Sequence, residues 1–445
     1  MSALPQRHFP ANDLGAAMHA HLCELYPMCR SITGPGLRET LRSIADRIPL
    51  LITEVPSGTP VLDWTVPDEW TIRAAHIETL EGRRIVDFGQ SNLHVVSYSR
   101  PIEAVVSRAE LARHVHTLPN QPELIPYRTG YFADDWGFCM PHRLWLGMTD
   151  PTYRVTIDST LAPGSLSYGE FYVPGTIGRD VLISVHCCHP SLANDNLSGI
   201  VLATALAAAS LDRPRRRGLR VLFVPATIGP IAWLARNPEA VAGVDAGLVL
   251  TCLGDAGAHH FKRSRRETSL VNRIAPRVLA EMGLPLTVLP FSPTGYDERQ
   301  YNSPGYDLPV GCLMRSPNGT FPEYHTSADD IDFVKPERLA ESFDVLMRIV
   351  DSLDTEAVYR RVDGRGEPQL GRRGLYEMIG GHHRAGGASK EALLWMLNLA
   401  DGKHGLVDVA DRAGLSLSEV RTAANIAREA GLIVEIDPCA PGETS

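Results

Sequence analysis

The stretch DVLISVHCCHPSLANDNLSGIVLATALAAASL, residues 180–211, joins an apolar run, a short polar turn and an alanine-rich segment without a break. The apolar run at 180–187 does not alternate with polar residues, which is typical of a β-strand buried on both faces. The segment at 197–211 has the length and composition of a buried helix. Between the two lie histidines, a cysteine pair and an aspartate. The stretch therefore predicts a strand, a turn and a helix of an α/β sheet, with polar side chains gathered at the turn.

Two further apolar runs continue this pattern, LRVLFVPA at 219–226 and AGLVLTCLGD at 246–255, with a helical stretch at 229–237 between them. Alternating strands and helices predict a doubly wound α/β fold built on a mixed sheet with a mainly parallel centre. Ligands in such folds bind at the carboxyl ends of the strands, so we expect the three strand ends to lie close together. Those ends are His186, Ala226 and Asp255.

The sequence patterns before and after this core differ from those within it. Before it, short alternating segments separated by Pro, Gly and Asn indicate a small β-rich domain. After it, a polar linker leads to three helical segments and a strand-like segment, the outline of a winged helix. The predicted division is an N-terminal helical part of the core at 1–48, an inserted β-rich domain at 49–145, the α/β core at 146–360, a linker at 361–385 and a winged-helix domain at 386–445.

Composition and charge argue against several classes of protein. The chain has 445 residues, 44% of them hydrophobic and 21% charged, with a net charge of −9. This balance suggests neither a nucleic-acid nor a membrane surface. The C-terminal segment from Lys390 to Glu435 has more acidic than basic side chains, and phosphate contacts need a basic face. We therefore expect no nucleic-acid or membrane partner; a homo-oligomer is compatible with the sequence.

The N-terminal segment and the cysteines favour a cytoplasmic location. The first 15 residues contain no continuous apolar segment, so we expect no secretory signal. The longest apolar stretch, around 199–211, is well short of the roughly 20 residues needed to cross a bilayer. The eight cysteines form no CxxC pair, which is typical of reduced thiols.

The turn after the first strand allows three interpretations: a thiol site, a metal site, or a purely structural turn. A thiol site needs a cysteine of lowered pKa with a base or second thiol nearby. Cys187 and Cys188 are poorly placed for a disulfide with each other, because adjacent side chains point apart. A structural turn would use His186 as a hydrogen-bonding residue and Asp195 as a helix N-cap. A metal site accounts for more of these residues together.

Hydrolytic zinc takes nitrogen and oxygen ligands and keeps one position open for water. Further ligand-type residues recur downstream, where Asp255 closes a strand-like run and EYHTSADDIDFV (323–334) brings a histidine before an acidic segment. Alone, Asp255 could be a turn residue before Gly257. The predicted ligands of one or two zinc ions are His186, His189, Asp195, Asp255 and His325.

Several long motifs resemble those of known proteins. HPSLANDNLSG and YHTSADDIDFV resemble the metal-binding signatures of co-catalytic zinc aminopeptidases, and the whole chain more closely resembles a bacterial aminopeptidase-like family with an inserted β domain and a C-terminal winged helix. The motifs that carry this resemblance are CRSITGPGLRETL, DWTVPDEW, YRTGYF, WGFCMPH, HCCHPSLANDNLSG, KRSRR, YDERQYNSPGYDLPVG, EYHTSADD and EPQLGRRGLY. The resemblance implies a zinc-peptidase fold, with metal held by His186 or His189 together with Asp195, Asp255 and His325.

One position departs from the family pattern. The aminopeptidase-like family keeps a glutamate in a PETIG setting after the second strand, where this chain reads VPATIG with Ala226. Alanine can neither bind metal nor accept a proton, and loss of a general base costs about 10²–10⁴-fold in rate. The carboxylates predicted to take part in catalysis are Glu298, Asp297 and Glu323. We expect Glu298 to be the replacement base and Asp297 to lie near the metal; alternatively, Glu298 pairs with Arg299 or a neighbouring helix residue, and Glu323 orients a ligand.

A basic segment, FKRSRRETS at 261–269, follows closely after Asp255. It could clamp an anionic group of the substrate, for which arginine is well suited, or it could be a solvated loop. The predicted substrate-binding residues are Arg263, Arg265, Arg266 and Tyr296; the tyrosine could also simply pack.

The function expected from these residues is zinc-dependent hydrolysis of an amide or peptide bond, aminopeptidase-like, in a small peptide or an acylated amine. An alternative is a catalytically impaired protein of peptidase fold that binds a ligand, which the alanine at 226 motivates. A third, a DNA-binding regulator acting through the winged helix, is disfavoured by its charge.

Overall fold

The computed structural model describes residues 13–375 and 390–436. The chain forms two compact units, divided between Met347 and Arg348. Each unit contains its own sheet or sheets and its own helices.

The first unit contains the helices up to α10, within which the division falls. These are α1 (Leu14–Leu25), α2 (Pro35–Ala45), α3 (Arg108–Leu111), α4 (His142–Gly147), α5 (Gly199–Ser210), α6 (Ile228–Arg236), α7 (Pro238–Gly243), α8 (Leu270–Glu281), α9 (Glu298–Tyr301) and α10 (Pro336–Thr355). Its strands are β1 (Leu51–Pro56), β2 (Pro60–Val61), β3 (Trp64–Thr65), β4 (Glu69–Glu78), β5 (Arg84–Asp87), β6 (Ile102–Ser107), β7 (Val115–His116), β8 (Phe138–Cys139), β9 (Thr152–Ala162), β10 (Ser165–Val173), β11 (Asp180–His186), β12 (Gly218–Val224), β13 (Val244–Leu250), β14 (His259–Lys262), β15 (Leu286–Leu289) and β16 (Val310–Met314).

The main sheet has eight strands in the order β1-β10-β12-β11-β13-β16-β14-β15. Its four central strands, β12, β11, β13 and β16, are parallel to one another, and antiparallel strands join on both sides. Every residue of β11 and β12 is buried, which explains why their sequences are mainly apolar and do not alternate with polar residues. The predicted α/β class with a mixed sheet is confirmed.

The predicted third strand is shorter in the structure than its apolar sequence suggested. Strand β13 ends at Leu250, not at Asp255. Cys252 lies in the left-handed region with φ of 47°, a conformation that cannot continue a strand. The residue directly at the carboxyl end of β13 is therefore Thr251.

The inserted β-rich region folds around a four-stranded antiparallel sheet in the order β5-β4-β9-β6. Its own apolar core includes Trp136, Phe138 and Tyr153. Strand pairing places the limits of this region differently from the predicted 49 and 145, because β1 pairs with β10 in the main sheet and β9 belongs to the small sheet. Hydrophobic alternation alone does not identify which sheet a strand joins.

Among its described residues, the second unit has a three-stranded antiparallel sheet and, after the end of α10, three α-helices. Its strands are β17 (Val358–Arg361), β18 (Asp401–Gly405) and β19 (Ile433–Ile436), and its helices are α11 (Lys390–Leu399), α12 (Leu406–Ala413) and α13 (Leu417–Glu429). The sheet order is β18-β17-β19, so a strand that precedes the predicted linker forms the centre of this sheet. The stretches 1–12, 376–389 and 437–445, which include parts of the predicted linker and winged helix, lie outside the described residues.

Within the described residues, no helix combines the length and the apolar composition that crossing a membrane would require.

Candidate metal centre

The candidate site begins at the carboxyl end of β11, where His186 is the last strand residue. The chain then turns through residues 193–198 into α5, and hydrogen bonds hold the turn in place. The Asp329 carboxylate accepts the backbone N–H groups of Asn194 at 2.5 Å and of Asp195 at 3.0 Å. The Asn196 side chain donates to the Leu250 carbonyl at 2.9 Å. These contacts fix the Asp195 carboxylate between the ends of two neighbouring strands.

Three imidazoles converge on that carboxylate. His186 Nε2 lies 2.8 Å from Asp195 Oδ1, and His325 Nε2 lies 3.0 Å from Oδ2. His189 Nδ1 is 3.4 Å from Oδ2 and 3.0 Å from the backbone oxygen of Asp195. His325 comes from a loop 130 residues further along the chain, so only the folded structure brings these side chains together.

The charge of the cluster is set by burial and by these contacts. Burial opposes ionisation of Asp195, but the His189 and His186 imidazoles outweigh it and hold its pKa well below the usual range. Burial lowers the pKa of His186 despite the nearby carboxylate. For His189 the carboxylate of Asp195 outweighs burial and raises the pKa. The cluster therefore contains an ionised carboxylate at its centre.

Aromatic rings pack around the imidazoles. Tyr296 stacks on His186 with 5.4 Å between ring centroids and 16° between ring planes, and Tyr324 stacks on His325 at 4.0 Å. Tyr127, from the inserted region, lies against His189 and His325 at 5.0 and 5.1 Å. These contacts restrict rotation of the rings, so the donor atoms are held in place.

The donor set fits a zinc ion. Zinc takes imidazole nitrogens and carboxylate oxygens as ligands, and among the described residues His186, His189 and Asp195 each offer one donor atom within 4.8 Å of the others. His325 lies outside that group but contacts the second oxygen of the same carboxylate, with 3.0 Å between Nε2 and Oδ2, so it is a fourth candidate ligand.

The two cysteines of the turn do not support thiol chemistry. Both are about 1% exposed. Burial raises the pKa of Cys187 well above its usual value and that of Cys188 to about 12. A reactive cysteine needs a lowered pKa and access to its substrate, so these thiols are inert packing groups.

Asp255, predicted as a metal ligand, lies outside the cluster. Its carboxylate accepts hydrogen bonds from Asn194 Nδ2, Ser316 Oγ and the Gly257 backbone, at 2.8, 2.8 and 2.6 Å. Thr251 instead occupies the strand end, with its hydroxyl 3.4 Å from Asp195 Oδ1. The prediction for Asp255 is corrected because β13 ends five residues earlier than its apolar sequence indicated. The apolar run carries no signal that marks this end, so sequence analysis could not identify Thr251.

Glu298, predicted as the replacement base, instead forms a buried ion pair. Its side chain is fully buried and forms an ion pair with Lys262, with 2.7 Å between Oε1 and Nζ. Burial, and then the charge of Glu298, raise the pKa of the adjacent Asp297 to about 7. Within the described chain, Asp297 Oδ2 has no hydrogen-bond partner. Asp297 is therefore better suited than Glu298 to exchange a proton, although its side chain does not line the cavity described below.

Neither Glu323 nor the predicted arginine clamp is among the residues in contact with the imidazole cluster or lining its cavity. Glu323 accepts hydrogen bonds from Thr326 through its backbone oxygen. Arg265 and Arg266 are exposed and pair with Asp307 at 3.1 and 3.4 Å. Arg263 is exposed and, like them, is not among the residues that line the cavity. A charge run identified basic side chains correctly but could not indicate which of them face the site.

A cavity of about 560 Å³ opens onto the cluster. His189, His325 and Ala226 are among the residues that line it, so the position at which the sequence departs from the expected PETIG pattern faces the cavity. The other lining residues are Ile32, Trp64, Tyr127, Arg128, Thr129, Tyr131, Phe132, Thr227 and Ile228. The arginine at the site is therefore Arg128, from the YRTGYF motif, and sequence analysis did not identify it.

Comparisons with known proteins agree with this architecture. A family described as a domain of unknown function, DUF4910, matches residues 19–356, and a winged helix-turn-helix family matches residues 357–435. A Clostridium acetobutylicum protein described as a "putative polysaccharide biosynthesis protein with aminopeptidase-like domain" is 41% identical over 93% of this chain and 95% of that protein. A crystal structure described as a putative peptidase from the same organism superimposes with a TM-score of 0.88 and 39% identity, over 95% of this chain and 96% of that one. A zinc aminopeptidase from Bacillus subtilis has a TM-score of 0.56 at 14% identity, over 79% of this chain and 96% of that one, which shows a shared fold.

The fold and the site define an aminopeptidase-like protein with a C-terminal winged helix. Within that class, the chain belongs to the DUF4910 family, because the family model covers most of its length and the C. acetobutylicum relative covers nearly all of it. The resemblance inferred from the motifs is confirmed.

Proposed function

We propose that this protein binds a zinc ion at His186, His189, Asp195 and His325 and hydrolyses an amide bond in a small molecule. The observation that carries the proposal is the convergence of three imidazoles on one fully buried carboxylate at a strand end. The aminopeptidase-like fold supports the same chemistry.

His186, His189, Asp195 and His325 would hold the zinc ion, which would supply polarisation of a carbonyl group and activation of a water. The side chains of this protein would contribute in separate ways. Asp195 and the imidazoles supply donor atoms, and the packed tyrosines fix their directions. Burial raises the pKa of Asp297 and that of Asp329 to about 7, so either carboxyl group would be able to hold or release a proton at neutral pH.

The cavity limits the size of the substrate. A volume of about 560 Å³ lies within the range of small-molecule sites, about 300–1,000 Å³. It fits a small peptide or an acylated amine, and the hydrolysed bond would lie beside His189 and His325.

A second candidate function, binding of metal and ligand without catalysis, is favoured by one observation. Ala226 faces the cavity at the position where the family keeps a glutamate, so no carboxylate at that position accepts a proton. The protein would then bind metal and ligand without turnover.

The two functions are separated by measuring metal content and hydrolysis on the same samples. We expect zinc near one ion per chain by elemental analysis, together with release of product from a panel of small amides. Zinc without turnover would favour the binding protein, and absence of bound zinc after loading would refute both.

Asp195→Asn tests the cluster, with Asp255→Asn as its matched control. Both aspartates are buried, at 0% and 2% exposure, but only Asp195 contacts the imidazoles. We expect the first variant to lose zinc and the second to retain it. Thermal melting of both variants distinguishes loss of metal from loss of fold.

A further inference from the structure

The charge of the cavity indicates what kind of ligand it accepts. We propose that the cavity selects a small amide that carries an anionic oxygen group, a carboxylate or a phosphate, bound by Arg128, and that it disfavours a free ammonium group. This inference adds a substrate class to the proposed function. It rests on that function only in placing the amide bond at the cluster.

The described residues that line the cavity include one arginine and two histidines but no aspartate or glutamate. Asp195, which is not a lining residue, is 0% exposed and already contacts three imidazoles. A bound zinc ion would add positive charge beside His189 and His325. The cavity is therefore positive, and an anionic group gains from entering it.

Arg128 is positioned by its backbone, and its side chain is available. Tyr127 N–H donates to the His325 carbonyl at 2.7 Å, and Ser97 N–H donates to the Arg128 carbonyl at 3.0 Å. Gly130 N–H donates back to the Ser97 carbonyl at 2.8 Å. Arg128 is among the residues that line the cavity, and within the described residues its guanidinium has neither an ion pair nor a hydrogen bond. Arginine can bind a carboxylate or a phosphate through two parallel hydrogen bonds. Arg128 suits this role because its backbone is held in place and its guanidinium has no other partner among the described residues.

Aromatic side chains supply the apolar part of the same cavity. Trp64 and Phe132 pack edge to face with 5.5 Å between centroids, yet they remain 39% and 56% exposed. Phe132 has φ of 65°, a costly conformation for a bulky residue. Exposed aromatic rings beside a cation fit a ligand with an apolar body and an anionic group.

The same charges argue against a ligand with a free amine. Removal of an N-terminal residue from a peptide requires a group that binds the free ammonium, and a carboxylate is the usual partner of a buried cation. Among the described cavity residues none has one. An ammonium group would instead meet Arg128 and the histidines, so blocked amines should bind better than free ones.

The test measures binding of four probes to the full chain by calorimetry, with zinc content determined in every sample. N-acetyl-phenylalanine carries a carboxylate, N-acetyl-phenylalaninamide is neutral, phenylalaninamide carries a free ammonium, and phenyl phosphate carries a phosphate. We expect at least one anionic probe to bind about 10-fold or more tightly than the neutral one, and the ammonium probe to bind worst. The two anionic probes distinguish a carboxylate from a phosphate.

Arg128→Gln should weaken the preferred anionic probe about 10- to 100-fold and leave the neutral probe within about 2-fold, because it removes a charge-assisted hydrogen bond. Arg263→Gln is the matched control, since it removes the same charge from an exposed arginine outside the cavity and should change neither affinity. Phe132→Ala should weaken anionic and neutral probes by similar factors.

Equal affinity for anionic and neutral probes would overturn the proposal, and so would tightest binding of the ammonium probe or no binding of any probe. Unchanged affinity of Arg128→Gln for the anionic probe would also overturn it. Anion selectivity lost in Arg128→Gln, in a protein that hydrolyses no amide, would support this inference while refuting the proposed hydrolase. The two proposals therefore fail independently.

Discussion

His325 contributes a donor atom from a loop that is distant in sequence from the other cluster residues. Its imidazole is 33% exposed and contacts the buried Asp195, so removing it should affect metal binding more than folding. Loss of the hydrogen-bond partner of a ligand already costs about 10- to 100-fold in metal affinity. At the scale of single residues, His325 is therefore the most direct probe of the metal centre.

We expect His325→Ala to reduce zinc affinity by at least about 10- to 100-fold, because a direct ligand matters at least as much as its partner. The measurement is zinc content by elemental analysis at matched free zinc, with thermal melting to establish that the variant is folded. His404→Ala, which removes an imidazole from the other unit, should retain zinc. Unchanged zinc content in His325→Ala would remove this residue from the ligand set.

Ala226 is the second informative residue, because it faces the cavity without a proton-accepting group. We expect Ala226→Glu to increase amide hydrolysis about 10-fold or more, since a general base typically contributes about 10²–10⁴-fold. Ala226→Gln has nearly the same size but cannot accept a proton, so it should give no gain. Equal rates in the two variants, both with bound zinc, would mean that the missing glutamate does not limit the rate.

At the scale of elements, the buried ion pair between Lys262 and Glu298 joins β14 to α9. Lys262 also donates to the Thr294 carbonyl, whereas among the described residues Oε1 of Glu298 contacts Lys262 and Oε2 has no hydrogen-bond partner. A buried pair is costly to break from one side, because the remaining charge has no partner. The carboxylate of Glu298 therefore stabilises the fold beside the site.

We expect Lys262→Met alone to reduce the free energy of unfolding by about 3–5 kcal/mol, because it leaves Glu298 buried without a counter-charge. The double variant Lys262→Met, Glu298→Gln should lose less than the sum of the two single variants. Urea denaturation of the wild type, both single variants and the double variant measures this coupling. Strictly additive losses would contradict the structural role of the pair.

At the scale of the whole molecule, a C-terminal winged helix accompanies an aminopeptidase-like unit. Winged helices often bind DNA, but helix α13 has only two basic side chains, Arg421 and Arg428, against Glu419 and Glu429. Phosphate contacts dominate the affinity of proteins for DNA and require a positive surface.

We therefore expect the full chain to cause no change in the fluorescence anisotropy of a labelled DNA duplex at 50 mM salt and about 10 µM protein, conditions under which typical DNA-binding domains bind even non-specifically. Binding that weakens steeply as salt is added would contradict this prediction. It would then assign a nucleic-acid function to the second unit.

A feature could be predicted from the sequence when it depends on residues that are close together along the chain. The strands β11 and β12 and the helix α5 could be predicted because their apolar patterns are local and their burial is nearly complete. The family resemblance identified His186, Asp195 and His325 through motifs rather than through geometry. The end of β13 could not be predicted, because a left-handed residue inside an apolar run leaves no hydrophobic signal.

The sequence by itself determined the class of fold and most of the histidine and aspartate cluster, since hydrophobic periodicity and long motifs are properties of consecutive residues. Only the tertiary structure decided which charged groups face the cavity. In the structure Asp255 lies outside the cluster, Glu298 pairs with Lys262 and Arg265 pairs with Asp307. Arg128 lines the cavity, and its side chain has no ion-pair partner among the described residues. The physical reason is that a charged side chain acts through the partners it meets in space, and those partners lie tens to hundreds of residues away along the chain.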